Sequence, residues 1–187
     1  MIGIFSHDAG GANLLANYVK NNNDDYVFCL KGPATNIFKE QGLVFKNEKL
    51  KSAIAISNSV ICSTGYQSNH EYNAIKHAKS LKKKCVVIFD HWTNFSSRLV
   101  RNSNAVIPDE IWVVDSYAEM IARQLFPSIL IIIKKNDYFE NIKNSYDLLK
   151  KVMSKKGLNR GLSVLFVAEP RACIVPSEPW KSNGIDI

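Results

Sequence analysis

The sequence predicts an α/β fold: a Rossmann-like three-layer αβα sandwich around a mainly parallel sheet. Short β-rich runs alternate with amphipathic stretches along the chain, the pattern of βα units. Some runs, above all Cys85-Val86-Val87-Ile88-Phe89, are continuously apolar, as strands covered on both faces are. Polar, Gly-containing turns follow the strands, at the edge where open parallel sheets hold their ligands.

Each element has a local reason. Residues 2–5 form a first strand, followed by a Gly-containing loop over 6–12 and a helix over 13–20. Asn21-Asn22-Asn23-Asp24-Asp25 is a turn by composition. Residues 26–30 are a second strand, broken by Gly32-Pro33, and Thr35 caps a short helix to residue 40. A brief third strand is expected over 43–45 and a helix over 49–57. Residues 60–62 are a fourth strand. Ser68 then caps a helix to residue 81, with Glu71 completing a capping box three positions on. Residues 85–89 are the fifth strand, 102–108 a loop and 111–114 the sixth strand. Asp115-Ser116 opens a helix that Pro127 ends, and 130–133 are the seventh strand. Phe139, Ile142, Tyr146, Leu149 and Met153, three and four apart, predict an amphipathic helix over 138–154. An eighth strand is expected over 163–168. Crossovers between parallel strands are expected to be right-handed.

This organisation gives a Rossmann-like domain over residues 1–154, a linker over 155–162 and, over 163–187, the stub of a second domain or an extra strand and tail. Of 187 residues 46% are hydrophobic and 22% charged, which excludes a disordered or collagen-like chain. No apolar run approaches the roughly 20 residues of a membrane span, and no secretory leader precedes the first strand, so a cytoplasmic location is expected. Cys29, Cys62, Cys85 and Cys173 match no zinc or redox spacing, and the first three read as buried thiols.

The net charge is +7. The positive excess is concentrated in Lys134, Lys135, Lys143, Lys150, Lys151, Lys155, Lys156 and Arg160, with a second run at Lys82-Lys83-Lys84. A solvated helix face accounts for such charge; an anionic membrane surface is the alternative. No nucleic-acid motif accompanies it, so no nucleic-acid partner is expected.

The strand ends carry the chemistry. His7-Asp8-Ala9-Gly10-Gly11-Ala12-Asn13 follows the first strand. Its glycines allow close backbone approach to a ligand at a helix N-terminus. It is neither G-x-G-x-x-G nor a P-loop, so no dinucleotide cofactor is expected. His7 is a candidate general base, with Asp8 beside it. Ser63-Thr64-Gly65 and Asp90-His91-Trp92 follow the fourth and fifth strands as candidate ligand-binding residues. Trp92 and Phe95 can stack on a sugar or base, and Arg98 or Arg101 can hold an anion. No compact carboxylate cluster suits a metal, and none is expected. His70 and His77 miss the H-E-x-x-H spacing and read as surface residues.

The stretch His7 to Asn13, with Lys31-Gly32-Pro33-Ala34, Ser63-Thr64-Gly65, Asp90-His91-Trp92-Thr93-Asn94-Phe95 and Pro108-Asp109-Glu110-Ile111-Trp112-Val113, resembles the amino-terminal half of bacterial GT-B-type glycosyltransferase-like proteins of surface-polysaccharide biosynthesis. The resemblance covers residues 1 to about 170. It implies an acceptor-side domain facing a second, donor-binding domain across a cleft, of which Ser163-Val164-Leu165-Phe166-Val167-Ala168 resembles the opening strand. It further implies a sugar or nucleotide-sugar ligand at the strand ends, with His7 or Asp8 as base and Gly10, Gly11 and Asn13 near the donor phosphate. The chain ends at Ile187, short of a full donor domain, which leaves two readings open. One is a truncated or shuffled product with Cys173 to Ile187 as an unrelated tail. The other is a single-domain protein that uses the first-domain cleft alone. A homodimer or partner chain is the candidate facing wall, and transferase activity by the isolated chain is in doubt. The alternatives are a non-catalytic phosphate- or small-molecule-binding Rossmann-like domain and a basic interaction module.

Overall fold

Alternation along each strand sets the layers. In β1 (Ile2–Ser6), Ile4 points into one apolar cluster and Phe5 into the other. In β4 (Lys84–Phe89), Val86 and Ile88 join Ile4, while Cys85, Val87 and Phe89 join Phe5. The sheet therefore has two buried faces. A computed structural model describes residues 1–65 and 68–155. It contains a six-stranded, wholly parallel sheet between helical layers, a Rossmann-like three-layer sandwich.

After β1 come α1 (Ala9–Lys20), β2 (Tyr26–Leu30), α2 (Pro33–Glu40) and α3 (Leu50–Ile56). β3 (Ser59–Cys62) leads to α4 (His70–Ser80), and β4 to a one-turn α5 (Phe95–Arg98). Then follow β5 (Val100–Arg101), β6 (Asn104–Ala105), β7 (Glu110–Val113), α6 (Ser116–Leu125), β8 (Leu130–Ile133) and α7 (Asp137–Lys155). The sheet order is β2-β1-β3-β4-β7-β8. α1 and α2 pack on one face, against Ile4, Ile61, Ile88 and Trp112. α3, α4 and α6 pack on the other, against Phe5, Val60, Val87 and Ile111. The chain divides into two units, Met1–Asp147 and Leu148–Ile187. The first contains the whole sheet, and the described part of the second is the end of α7.

Several sequence expectations need correcting. The third strand shrinks to a single parallel bridge between Phe28 and Asn47. There the Asn47 side chain accepts from the Leu30 amide and donates to the Leu30 carbonyl, both at 2.7 Å, and the Glu48 amide donates to the Phe28 carbonyl. One carboxamide does the pairing that a strand would have done, on the outer side of β2. α1 begins at Ala9, four residues earlier than expected, so Gly10 and Gly11 lie in its first turn rather than in a loop. Isolated glycines cost a helix about 1 kcal/mol each, which is why they read as a loop. α2 starts at Pro33 behind Gly32, not at Thr35, because proline is preset for a first helical position. The expected loop over 102–108 contains β6, paired with β5 across Asn102 and Ser103, both at positive φ.

Lys82-Lys83-Lys84 is not a uniform solvated face. Lys83 donates to the carbonyls of Ile54, Ala55 and Ser57 at 2.5–2.7 Å, closing the C-terminus of α3. Lys84 pairs with Glu110 at 2.5 Å, while Lys82 is exposed with φ +55°. Cys29, Cys62 and Cys85 are buried free thiols, as expected. Lys155, expected to open the linker, is the last residue of α7. The expected eighth strand, the rest of the linker and Cys173 lie outside the described residues. Among the described residues no helix is long and apolar enough to cross a membrane.

Candidate functional site

β1 lies between β2 and β3 in the sheet: the chain steps to one side of β1 to form β2, then crosses back to its other side to form β3. Such a reversal opens a crevice at the carboxyl ends of the two strands. His7 and Asp8 leave β1 there, and Ser63, Thr64 and Gly65 leave β3.

His7 Nδ1 lies 2.6 Å from Asp8 Oδ1, with the two side chains 26% and 28% exposed. A carboxylate can only accept, so Nδ1 donates to it, and in the neutral ring Nε2 is then the nitrogen without a proton. No hydrogen bond reaches Nε2 from the described residues; it faces Gly32 at the outlet of β2. The sequence places His and Asp side by side, but only the sharp exit from β1 turns the two side chains toward each other. Asp8 also lies against Gly65, where a Cβ would fall 2.3 Å from Asp8 Oδ2.

Gly10 and Gly11 bring the first turn of α1 onto the next two strand ends. A Cβ at Gly11 would fall 2.4 Å from Ser63 Cβ, and one at Gly10 would fall 1.9 Å from Asp90 Oδ2. The outlets of β1, β3 and β4 thus meet. Two carboxylates, Asp8 and Asp90, border the N-terminus of α1, the end that ordinarily draws an anion. Asn13, one turn on, donates to the Ala9 carbonyl of its own helix.

Arg98 crosses the β3 and β4 outlets. Its NH1 donates to Asp90 Oδ1 at 2.5 Å and to Thr64 Oγ1 at 3.1 Å, and the Thr64 hydroxyl donates to the Ile88 carbonyl. The Arg98 charge is therefore already opposed by a carboxylate within the protein. Arg101 is spent on the carbonyls of Gly65, Ser68 and Ser97 and on the Tyr72 ring. Trp92 is half-exposed, its indole N–H bonded to Asp115 Oδ2 at 2.9 Å and its ring edge-on to Tyr117. His91 is exposed beside it. Phe95, expected as a stacking residue, is buried and stacked on Phe89 at 4.3 Å, so it has no face for a ligand.

The chain matches no protein-family model, no curated protein and no solved structure.

Two site residues escaped the sequence reading. Gly32 was visible only as a breaker. Glu71 was assigned to a capping box with Ser68, but Ser68 Oγ instead accepts from the His70 amide and the Glu71 carboxyl turns inward. Its Oε1 accepts from the His7 amide at 2.6 Å and from Ser63 Oγ at 3.1 Å, and Ser63 Oγ also bonds Ser6 Oγ at 2.8 Å. Burial pushes its pKa up, against the pull of these hydrogen bonds. His70 is likewise buried, not on the surface. Its Nε2 bonds the Cys29 carbonyl at 2.8 Å, and burial lowers its pKa. Among the described residues no group of three or more His, Cys, Asp and Glu side chains is arranged to hold a metal ion.

Proposed function

We propose that the crevice is the acceptor side of a glycosyltransferase-type site, with His7 as the general base. The observation that carries this reading is the His7–Asp8 pair at the chain-reversal point, with Nε2 bare. Asp8 holds the tautomer and would steady the imidazolium formed on proton uptake. In the reaction, Nε2 takes the proton of an acceptor sugar hydroxyl as its oxygen bonds to the anomeric carbon. The bond from that carbon to the nucleotide phosphate breaks, and the phosphate leaves with the electron pair.

The charge distribution favours a neutral polyhydroxylated acceptor over a phosphate at this point. Asp8 already stands at the helix end that a phosphate would need, and the one cation beside it, Arg98, is taken up by Asp90. A phosphate there would meet a carboxylate and no free positive side chain among the residues just described. The exposed ring of Trp92, held by Asp115, suits the apolar face of a sugar. The nucleotide-sugar would be held by a facing wall from a second chain.

The test starts with thermal shifts of the full chain against sugars and nucleotide sugars, because a ligand bound only by the folded state raises Tm. With a donor that shifts Tm, transfer is followed by nucleotide release. His7→Ala is expected to lower turnover roughly 100-fold or more while the fold is retained. Unchanged turnover in His7→Ala removes the base, and no Tm shift with any sugar or nucleotide sugar overturns the reading.

A further inference from the structure

Glu71 reaches the base from α4, far from it in sequence. The residue is 2% exposed. Its Oε1 takes two hydrogen bonds, one of them from the His7 main chain. Its Oε2 is buried with no hydrogen-bond partner among the described residues. The groups around the carboxyl are Asp8 from the β1 exit, Cys62 at the end of β3 and Ser63 just beyond it. Among the described residues no Lys or Arg pairs with it. An ionised Oε2 there would be a desolvated charge without a counter-ion, close to a second carboxylate. A protonated Oε2 avoids both costs, and Oε1 remains the carbonyl acceptor that the two observed donors need.

We propose that Glu71 is a positioning residue of this site: an uncharged carboxylic acid that clamps the His7 main chain and thereby fixes which ring nitrogen stays bare. The inference rests on His7 being the base. The clamp joins α4 to the β1 exit and, through Ser63, to the end of β3. Released from it, the His7 backbone is free to rotate the ring away from Asp8, and either nitrogen can then carry the proton. The acceptor at Oε1 does this work and the charge does not, so an amide in its place should serve equally well.

The experiment is nuclear magnetic resonance on the full chain, with ring nitrogens of His7 and the side-chain carboxyl carbon of Glu71 observed across pH. In the wild type, Glu71 should lose its proton last among the Asp and Glu side chains. His7 should show one neutral tautomer, with Nε2 bare. Glu71→Gln should keep that tautomer, and Glu71→Leu, which preserves bulk without an acceptor, should lose it to a mixture. Glu71 titrating together with the exposed carboxylates would overturn the proposal. So would a changed tautomer in Glu71→Gln, or an unchanged one in Glu71→Leu. Should Glu71→Leu not fold, the Glu71 titration and the Glu71→Gln spectrum still decide. None of these spectra needs a substrate, so they stand apart from the turnover test of His7→Ala.

Discussion

The Nε2 side of the His7 ring faces Gly32 so closely that no side chain fits at position 32: a Cβ there would lie 2.6 Å from Nε2. Gly32 also sits at φ +51°, which side chains of L-residues rarely adopt. Gly32→Ala should destabilise the protein by about 1–3 kcal/mol through the backbone alone. It should also push the imidazole off Asp8, abolishing any His7-dependent turnover. Urea unfolding and the His7 ring spectrum measure the two effects separately. A stable variant with an undisturbed ring would mean that Gly32 does not shape the site.

Gly10 gives a prediction in which two effects oppose. In an open helix, Gly→Ala stabilises by about 1 kcal/mol. Here the added methyl meets Asp90 Oδ2, and moving Asp90 breaks its bond to Arg98. Gly10→Ala should therefore destabilise, because the clash and the broken ion pair outweigh propensity. In an Asp90→Ala background the same change should turn stabilising. A double-mutant cycle by chemical denaturation reads the reversal, and an additive result would refute the packing argument.

Adjacent lysines should respond with opposite signs. Lys83→Met removes the ammonium that three carbonyls at the end of α3 share, and should lower stability by about 1–2 kcal/mol. Lys82 occupies a left-handed position just past α4, so Lys82→Gly should raise stability by roughly 0.5–1 kcal/mol. Thermal melts of the two variants test this pair.

Two glutamates, Glu71 buried and Glu110 partly buried, should tilt the pH dependence in opposite directions. The Lys84 ammonium, with help from the Trp112 indole N–H, holds Glu110 below its ordinary value of about 4.5. Its contribution is present above that value and lost as pH falls through the lower folded one. Glu71 is raised by burial. The unfolded chain gives up the Glu71 proton first, so stability falls as pH rises from about 4.5 through the raised folded value. Glu110→Gln should flatten the acid side of the profile, and Glu71→Gln should remove the decline toward neutral pH. Urea midpoints across pH 3–8 would show both; parallel profiles for all three proteins would contradict both assignments.

The strands were legible because their signal is local. Cys85 to Phe89 is apolar without interruption, and the sheet buries both of its faces. Asp115 is a side-chain acceptor ahead of a helix, and it caps α6 through the Ala118 amide. What failed was whatever depended on a distant partner. Glu71 fits a capping box by spacing, but its partner is the His7 amide, in the exit of another strand. Gly10 and Gly11 look like loop residues until Asp90 and Ser63 arrive against them. His70 reads as polar surface because the Cys29 carbonyl that bonds its Nε2 is 41 residues away. Arg98 reads as an anion site until Asp90 is seen to occupy it. The loops that follow the strands do gather at one edge of the sheet, because parallel strands all end on the same side, and βα alternation implies parallel strands.

Asn47 has one more consequence. The outer margin of a sheet offers unpaired amides and carbonyls to any extended chain that drifts past, and this is how sheets polymerise. Along β2 the Asn47 carboxamide takes both polar groups of Leu30, and the Glu48 amide takes the carbonyl of Phe28. A stranger's strand laid along that margin would find those positions filled. On this margin one side chain and one backbone amide fill positions that a full strand would only have moved outward.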